Sequence, residues 1–308
     1  MTLNPIRPPT LLDAAKLALL AAIWGSAFLA VEIAVREVPP VTLAAIRILL
    51  GASILNAVVL VRGDAYPRDA QSLAMLAVVG FFNSALPFFL IAWGQQHVNT
   101  GTSAILMSSG SFVALLLSHF STHDDRLTLP KVLGLAIGFG GVLVLMGPAM
   151  LAGAASSVLG QLALIGAASG YATAGVLTRF VPRVSPLASS AVVLASAGLY
   201  MIPLALWLDR PWDLAPSGRA LAMLGYMGVV ATALAYLLRF TLIRQVGASF
   251  MGQVGYLIPF FAVFWAWLFL GQVPGLHTWL ALGLILLGIN ISRLRPGRFQ
   301  RQRRLASS

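Results

Sequence analysis

Cysteine is absent from the 308 residues of this chain, which excludes disulfide bonds, thiolate metal ligands and thiol catalysis. Charged residues are also scarce, at 9% of the sequence against 59% hydrophobic residues. Soluble domains carry roughly a quarter charged residues, so this chain lacks the charge to cover a water-exposed surface. The composition therefore predicts an all-α integral membrane protein.

Signatures of enzymes are missing as well. The sequence contains no HExxH zinc motif, no P-loop and no strand-linked GxGxxG, so neither metalloprotease chemistry nor ATP-driven pumping is expected. His119 and His123 have the spacing of two metal ligands on one helical face, but His123 lies in a polar segment beside two aspartates. We expect a protein that is not an enzyme and that holds no cofactor and no metal.

Acidic residues are the rarest charged class, with nine of them against twenty lysines and arginines, which gives a net charge of +11. Six arginines lie after residue 292, and nearly all other basic residues lie at the ends of apolar stretches. Basic residues at such positions orient membrane proteins and contact anionic head groups. The distribution indicates the lipid bilayer as a partner, with anionic lipids at the basic tail, and no nucleic acid.

Long apolar stretches fill the chain between polar or Pro/Gly-rich connections, and about 20 apolar residues suffice to cross a bilayer. We predict ten transmembrane helices, at 14–35, 40–61, 71–94, 99–120, 129–147, 159–180, 186–208, 218–243, 248–270 and 276–292. With a cytoplasmic N-terminus, fifteen basic residues lie on that side and only Arg36, Arg210 and Arg219 on the other. The positive-inside rule then places residues 1–13 and the tail, 293–308, in the cytoplasm. We expect the membrane to be a plasma membrane, that is, a bacterial inner membrane.

Two windows of the sequence recur in the same order. LALLAAIWGSAFLAV (17–31) and LALIGAASGYATAGV (162–176) share seven of fifteen positions, and LAMLAVVGFFNSAL (73–86) and LAMLGYMGVVATAL (221–234) share seven of fourteen. The offsets, 145 and 148, are nearly constant, which indicates duplication. We predict one five-helix repeat at 14–147, a linker at 148–158 and a second repeat at 159–292.

The number of helices in each repeat fixes their relative orientation. Five is odd, so the second repeat enters the membrane from the opposite side, and the pair forms an inverted repeat. Inverted repeats recur in transporters, which bind their substrate near the midplane, between the repeats. The sequence thus predicts two inverted five-helix repeats around a central cavity, and a transporter of small molecules. A receptor would not need such a duplication, and no filter-like loop or ring of charge indicates a channel.

Several motifs resemble the EamA-type, ten-helix branch of the drug/metabolite transporter superfamily. They are Trp24-Gly25-Ser26-Ala27-Phe28, Pro39-Pro40 before Arg47, Asp125-Arg126-Leu127-Thr128-Leu129, ALAYLLRFTLIRQVGAS and LIPFFAVFWAWLFLG. The resemblance covers residues 14–292 and implies export of amino acids or other metabolites through a cavity lined by helices three, four, eight and nine. The chain departs from the family pattern at Gln272, where a glutamate is usual, and around Gly110, where a proline is expected.

The polar and aromatic residues near mid-span are the candidate substrate-binding set. They are Trp24, Phe82, Asn83, Pro87, Phe88, Met107, Ser108, Tyr171, Tyr236, Gln253 and Tyr256. Aromatic rings with amide and hydroxyl groups, but no fixed charge, suit an amphipathic solute, and we favour a zwitterionic amino acid, especially an aromatic one. Asn83 and Gln253 either bind a ligand or hydrogen-bond a neighbouring helix. Pro87 and Pro259 either act as hinges or shape the packing of their helices.

Three ionisable residues inside spans are candidates for gating or structural roles. Glu32 and Arg47 either meet as an ion pair at an outer gate, or they reach head groups separately. Arg239 either snorkels or binds a carboxylate. Because no carboxylate is expected near the midplane, facilitated movement down a gradient is favoured, with a proton-coupled multidrug or metabolite antiporter as the alternative.

Overall fold

The structure is a computed structural model that describes residues 7–121, 128–181 and 185–292. The polar segment around His123–Arg126 and the arginine-rich tail lie outside the described residues. Ten helices run through the described part: α1 Leu11–Ala34, α2 Pro40–Arg62, α3 Ala70–Gly94, α4 Thr100–Phe120, α5 Leu129–Leu151, α6 Ala155–Leu177, α7 Pro186–Leu208, α8 Gly218–Val246, α9 Val254–Leu270 with a preceding turn Ala248–Met251, and α10 Leu276–Ser292.

The chain spans the membrane several times, in the two-repeat, ten-helix arrangement predicted from the sequence. Seven described helices, α1–α5, α7 and α8, have the length and hydropathy of a full span, and α9 and α10 are shorter apolar helices. The predicted linker at 148–158 is mostly helical: α5 continues to Leu151 and α6 begins at Ala155.

Short connections set the direction of successive helices. Only residues 35–39 join α1 to α2. Five extended residues reach about 18 Å, whereas a helix of some 23 residues is about 34 Å long, so α2 must start at the end of the bundle where α1 stops. We call the end where α1 begins the N-terminal face and the end where it stops the distal face.

Corresponding helices of the two repeats make corresponding contacts. Helices α2 and α7 pack on each other, as do α5 and α10, so each of these helices meets its own repeat mate. In the same way α1 packs on α8 and α9, while α6 packs on α3 and α4. If each helix is replaced by the corresponding helix of the other repeat, most of these contacts are preserved, as expected for an inverted repeat.

The third helix of each repeat has the same internal features. Asp69 caps the start of α3 and Ser217 caps the start of α8. Farther along, a π-helical segment interrupts α3 at Phe81–Ala85 and α8 at Val229–Leu234. The caps and the first residues of the π segments are each 148 positions apart, which is the offset of the recurring sequence windows.

A glycine precedes each π segment because another helix passes very close to it. A Cβ atom on Gly80 would lie 2.5 Å from the carbonyl oxygen of Val193 in α7. One on Gly228 would collide with Leu50 in α2. Gly134 and Gly138 form a GxxxG pair in α5 and lie against α10, which passes them at Gly288. These small residues let the helix backbones approach each other.

Candidate functional site

A central cavity of about 580 Å³ lies between the two repeats. It is lined by residues of α1–α4 from the first repeat and of α6, α8 and α9 from the second. Seven residues of the candidate substrate-binding set form part of its wall: Trp24, Asn83, Phe88, Met107, Ser108, Tyr171 and Tyr236. A cavity of this size fits a small metabolite.

The other four residues of that set lie off the wall. Phe82 packs edge-on against Phe81, with the ring centroids 5.2 Å apart, and Pro87 lies buried beside Gly170 of α6. Gln253 is exposed at the start of α9, and Tyr256 packs against the central hydrophobic core.

Breaks in two helices contribute to the cavity. Helix α4 is interrupted after Met107 and resumes at Gly110, where a Cβ atom would lie 2.9 Å from the carbonyl oxygen of Ala168. The chain is interrupted again between Met251 and Val254. Irregular backbone at membrane depth is tolerated where it lines a cavity. Pro259, buried inside α9, directly follows Ile258, which lines the cavity.

The cavity is open toward the N-terminal face. The exposed residues of its wall include Ser111 in α4, Gly175 and Thr178 toward the end of α6, and Gly252 before α9. All of these positions lie toward the N-terminal face. The wall residues toward the distal face, among them Phe28 and Ile91, are buried. The structure is therefore closed at one end of the cavity and open at the other.

Glu32 lies buried near the distal end of the cavity. This carboxylate is 7% exposed and accepts hydrogen bonds from the backbone and hydroxyl of Thr100 at 2.9 and 2.5 Å. Its other oxygen accepts from the amide of Gln272 at 2.6 Å and from Arg36 at 3.4 Å. One buried carboxylate thus joins α1 to the start of α4 and to the segment after α9.

Further hydrogen bonds close the distal face around Glu32. Gln95 donates to the carbonyl oxygen of Phe28 at 2.9 Å, which ties the end of α3 to α1. The backbone and hydroxyl of Thr42 donate to Asp209 at 2.9 and 2.8 Å, which ties α2 to α7. These bonds link α1 to α3 and α2 to α7 at the distal face.

Neither alternative for Glu32 and Arg47 matches their positions. Glu32 pairs with Arg36, and Arg47 lies in the wall of the central cavity with 7% exposure. The Nε of Arg47 donates to the hydroxyl of Thr232 at 3.1 Å, and its guanidinium lies 3.9 Å from the centre of the Phe88 ring. The cavity therefore has a fixed charge, contrary to the expectation of neutral donors alone.

A second arginine lines the same cavity. Arg239 lies half-buried on α8, one turn beyond Tyr236, with its guanidinium carbon 5.9 Å from the centre of the tyrosine ring. The Tyr236 hydroxyl accepts a hydrogen bond from the amide of Asn83 at 3.0 Å. Asn83 thus hydrogen-bonds a neighbouring helix and also faces the cavity, so its position is compatible with both roles considered for it, ligand binding and helix packing.

The π segments position several of these groups. Asn83 lies within the π segment of α3, and Thr232 within that of α8. The carbonyl oxygen of Ala231, in the same segment, accepts a hydrogen bond from the Trp24 indole at 3.2 Å. Thr232 was not among the residues predicted from the sequence. It aligns with Ser84 in the recurring windows, and this shared hydroxyl is the feature that could have indicated it.

Comparison with known proteins agrees with this architecture. The model of the EamA-like transporter family matches residues 14–147 and again residues 158–294. An uncharacterized transporter of Archaeoglobus fulgidus is 28% identical over 280 residues, which cover 89% of this chain and 96% of that protein. The uncharacterized inner membrane transporter YedA of Escherichia coli is 25% identical over 269 residues, which cover 87% of this chain and 86% of YedA.

Two further matches extend the comparison. The S-adenosylmethionine/S-adenosylhomocysteine transporter of Chlamydia trachomatis is 26% identical over 292 residues, which cover 88% of this chain and 86% of that protein. A crystal structure with 20% sequence identity superimposes with a TM-score of 0.66 over 93% of this chain and 98% of its own. The family match covers both repeats, and the solved structure shares the fold. This chain belongs to the EamA-like transporter family and is a multi-pass membrane transporter.

Proposed function

We propose that this transporter exports small amphipathic metabolites from the cytoplasm, with aromatic amino acids as the first substrates to test. The observation that carries the proposal is the central cavity, which combines aromatic rings, an amide and hydroxyl groups from both repeats and is closed at one end. The rings provide apolar contact for a side chain, and the polar groups orient the rest of the solute.

One of the departures from symmetry in the helix contacts supports alternating access. The first piece of α4 packs against α1 at the distal face. Among the described residues, the mates of this pair, α6 and α9, make no comparably extensive contact at the N-terminal face. If the two repeats exchanged conformations, the closed distal seam would open and the N-terminal seam would close. That exchange moves the cavity from one side of the membrane to the other.

The open end of the cavity faces the cytoplasm in this proposal. Among the described residues, Arg7, Lys16, Arg62, Arg68, Lys131, Arg179 and Arg244 lie at the N-terminal face, and Arg36, Arg210 and Arg219 lie at the distal face. The basic excess marks the cytoplasmic side. Both termini would then be cytoplasmic, and for a bacterial protein the membrane would be the inner membrane, as for the relative YedA.

Proton-coupled antiport is the second candidate, and Glu32 is the observation that favours it. This acidic residue is buried in the hydrogen bonds that must break when the distal face opens. Protonation would weaken its hold on Thr100 and Gln272. Facilitated transport remains the first choice because, among the described residues, no acidic side chain lines the central cavity.

Proteoliposomes test both candidates. Vesicles that contain the purified protein are loaded with radiolabelled phenylalanine, tyrosine, tryptophan, other amino acids or S-adenosylmethionine, and efflux is followed with and without a pH gradient. We expect efflux of an aromatic amino acid down its gradient. A requirement for the pH gradient would favour antiport, and no efflux of any solute in the panel would contradict the proposal.

A variant pair connects transport to the cavity. Asn83→Ala removes an amide from the cavity wall together with its bond to Tyr236, and we expect flux to fall by about tenfold. Asn290→Ala is the matched control, because that exposed amide donates only to the carbonyl oxygen of Leu286 in its own helix. Equal flux in the two variants, at equal amounts of folded protein, would remove Asn83 from the site.

A further inference from the structure

The surroundings of Arg47 are incomplete for a buried cation. Its Nε has Thr232 as a partner and its face has the Phe88 ring, but neither contact supplies a negative charge. The ion pairs in which both residues are described are Arg7–Asp13 and Arg36–Glu32, and the two terminal nitrogens of Arg47 have no acceptor among the described residues. A charged group inside a membrane protein is costly unless it is paired. The guanidinium of Arg47 could therefore bind an anion in the cavity.

Arg239 adds a second positive charge to the same wall. Its guanidinium faces the ring of Tyr236, and among the described residues it has no carboxylate partner. Arg47 lies on α2 of the first repeat and Arg239 on α8 of the second. A bound anion would therefore be attracted by both repeats at once.

Among the described residues, no acidic group lines the cavity to balance these charges. The chain has nine acidic residues, and Asp124 and Asp125 lie outside the described part. The described ones are Asp13, Glu32, Glu37, Asp64, Asp69, Asp209 and Asp213, and none of the seven lines the central cavity. A substrate ammonium group would meet two arginines and no carboxylate. The rings of Phe88 and Tyr236 could bind an ammonium group through cation–π contacts, but both rings already face the arginines.

We propose that the central cavity selects aromatic substrates with a net negative charge, that is, ring-bearing carboxylates without a free ammonium group. Arg47 binds the carboxylate through its terminal nitrogens, and Arg239 raises the local positive potential. This inference rests on the proposed transport function and narrows its substrate class. It places N-acylated or deaminated aromatic acids ahead of the zwitterionic amino acids.

Three probes with a shared skeleton test the charge selection. N-acetylphenylalanine is an anion at pH 7, N-acetylphenylalaninamide is neutral, and phenylalanine is a zwitterion. Their binding to the purified protein is measured by calorimetry, and their transport by counterflow in proteoliposomes. We expect the anion to bind at least about tenfold more tightly than either of the other two, since a charge-assisted pair is formed only with it.

Arginine variants test whether Arg47 and Arg239 cause the preference for anionic substrates. Arg47→Gln should remove the preference for the anion while affinity for the neutral amide stays the same, and Arg47→Lys should restore part of it. Arg239→Gln should reduce the preference by a few fold, since it acts at longer range. Arg62→Gln is the matched control, because Arg62 is an exposed arginine at the end of the same helix as Arg47.

The outcomes separate this inference from the transport proposal. If phenylalanine binds as tightly as N-acetylphenylalanine, or if the anion does not bind at all, the charge selection is wrong, and efflux of amino acids decides the transport proposal independently. A preference for the anion that survives both Arg47→Gln and Arg239→Gln would also overturn it. If Arg47→Gln yields too little folded protein, the result with Arg239→Gln decides.

Discussion

The two ends of the cavity are built from equivalent helices but are held by different chemistry. At the distal end, the carboxylate of Glu32 collects hydrogen bonds from α4 and from the segment after α9. At the N-terminal end, the position in α6 that lies 145 residues after Glu32 is Leu177, which is apolar. In the described part of the chain, a buried charge thus lies at one seam, and an apolar residue takes the equivalent position at its mate.

If the transporter alternates between two conformations, as proposed, this difference predicts that they have unequal energies. Hydrogen bonds to a charged group contribute about 1.5–3 kcal/mol each, so the loss of the Glu32 contacts is a large cost of opening the distal face. Closing the N-terminal seam brings no equivalent contact from Leu177. We therefore expect the empty protein to rest with the distal face closed, and bound substrate to provide the energy for the exchange.

The removal of Glu32 should have the largest effect on this balance. A single cysteine at Ala104, a wall residue with 1% exposure, reports distal opening without background because the chain has no cysteine. In Glu32→Ala, we expect a membrane-impermeant maleimide added at the distal side to label it at least about tenfold faster, because hydrogen bonds to a charge are lost.

The control for this measurement is Asp213→Ala, which removes an exposed carboxylate near the same face. Its labelling rate should equal that of the parent cysteine variant. If Glu32→Ala also leaves the rate unchanged, the carboxylate does not hold the distal seam closed.

Gln272→Glu should have a smaller effect of the same sign. The change replaces a donor that lies 2.6 Å from Glu32 with a second carboxylate, and two close carboxylates repel each other unless they share a proton. We expect Ala104→Cys labelling to rise by a few fold at neutral pH and to return toward the parent rate in acid. Gln96→Glu, an exposed position on the same face, should show no such pH dependence.

Glu37 should give the smallest effect, visible only in acid. Hydrogen bonds from the backbone and hydroxyl of Ser217 lower the pKa of the Glu37 carboxyl below its usual value. A lowered pKa stabilises the folded protein above the unfolded value of about 4.3, and this stabilisation is lost as the pH falls through the folded pKa. The melting temperature of Glu37→Gln should therefore decrease less than that of the parent below pH 4.3, and parallel curves would contradict this assignment.

The sequence was sufficient for the helices and the duplication, since both depend on patterns that extend over many residues. Seven residues separate Arg47 from the start of α2, which corresponds to about 10 Å along the helix. Depth along a helix does not determine whether a side chain faces lipid or a cavity. Glu32 posed a similar problem, because its partners Thr100 and Gln272 are distant in sequence. The departure at Gln272 now has a physical reason: an amide can donate to Glu32, and a carboxylate cannot.

The substrate-binding set was only partly predictable for the same reason. Gln253 was expected near the midplane, but the interruption after Met251 leaves it exposed at the start of α9. The π segments were not foreseen at all, because they are local changes in backbone hydrogen bonding and leave no hydrophobic period of their own. They determine where Asn83 and Thr232 point, so the cavity wall could not be read from helical periodicity.

The matched π segments also bear on the evolutionary origin of the two repeats. A π segment arises when a helix gains a residue without losing its ends, and this rotates every later side chain relative to the earlier ones. Such an insertion at the same position in both repeats is most simply inherited from a single five-helix ancestor. On this explanation, the ancestor already had a distorted third helix, and the distortion was in place before the two repeats diverged.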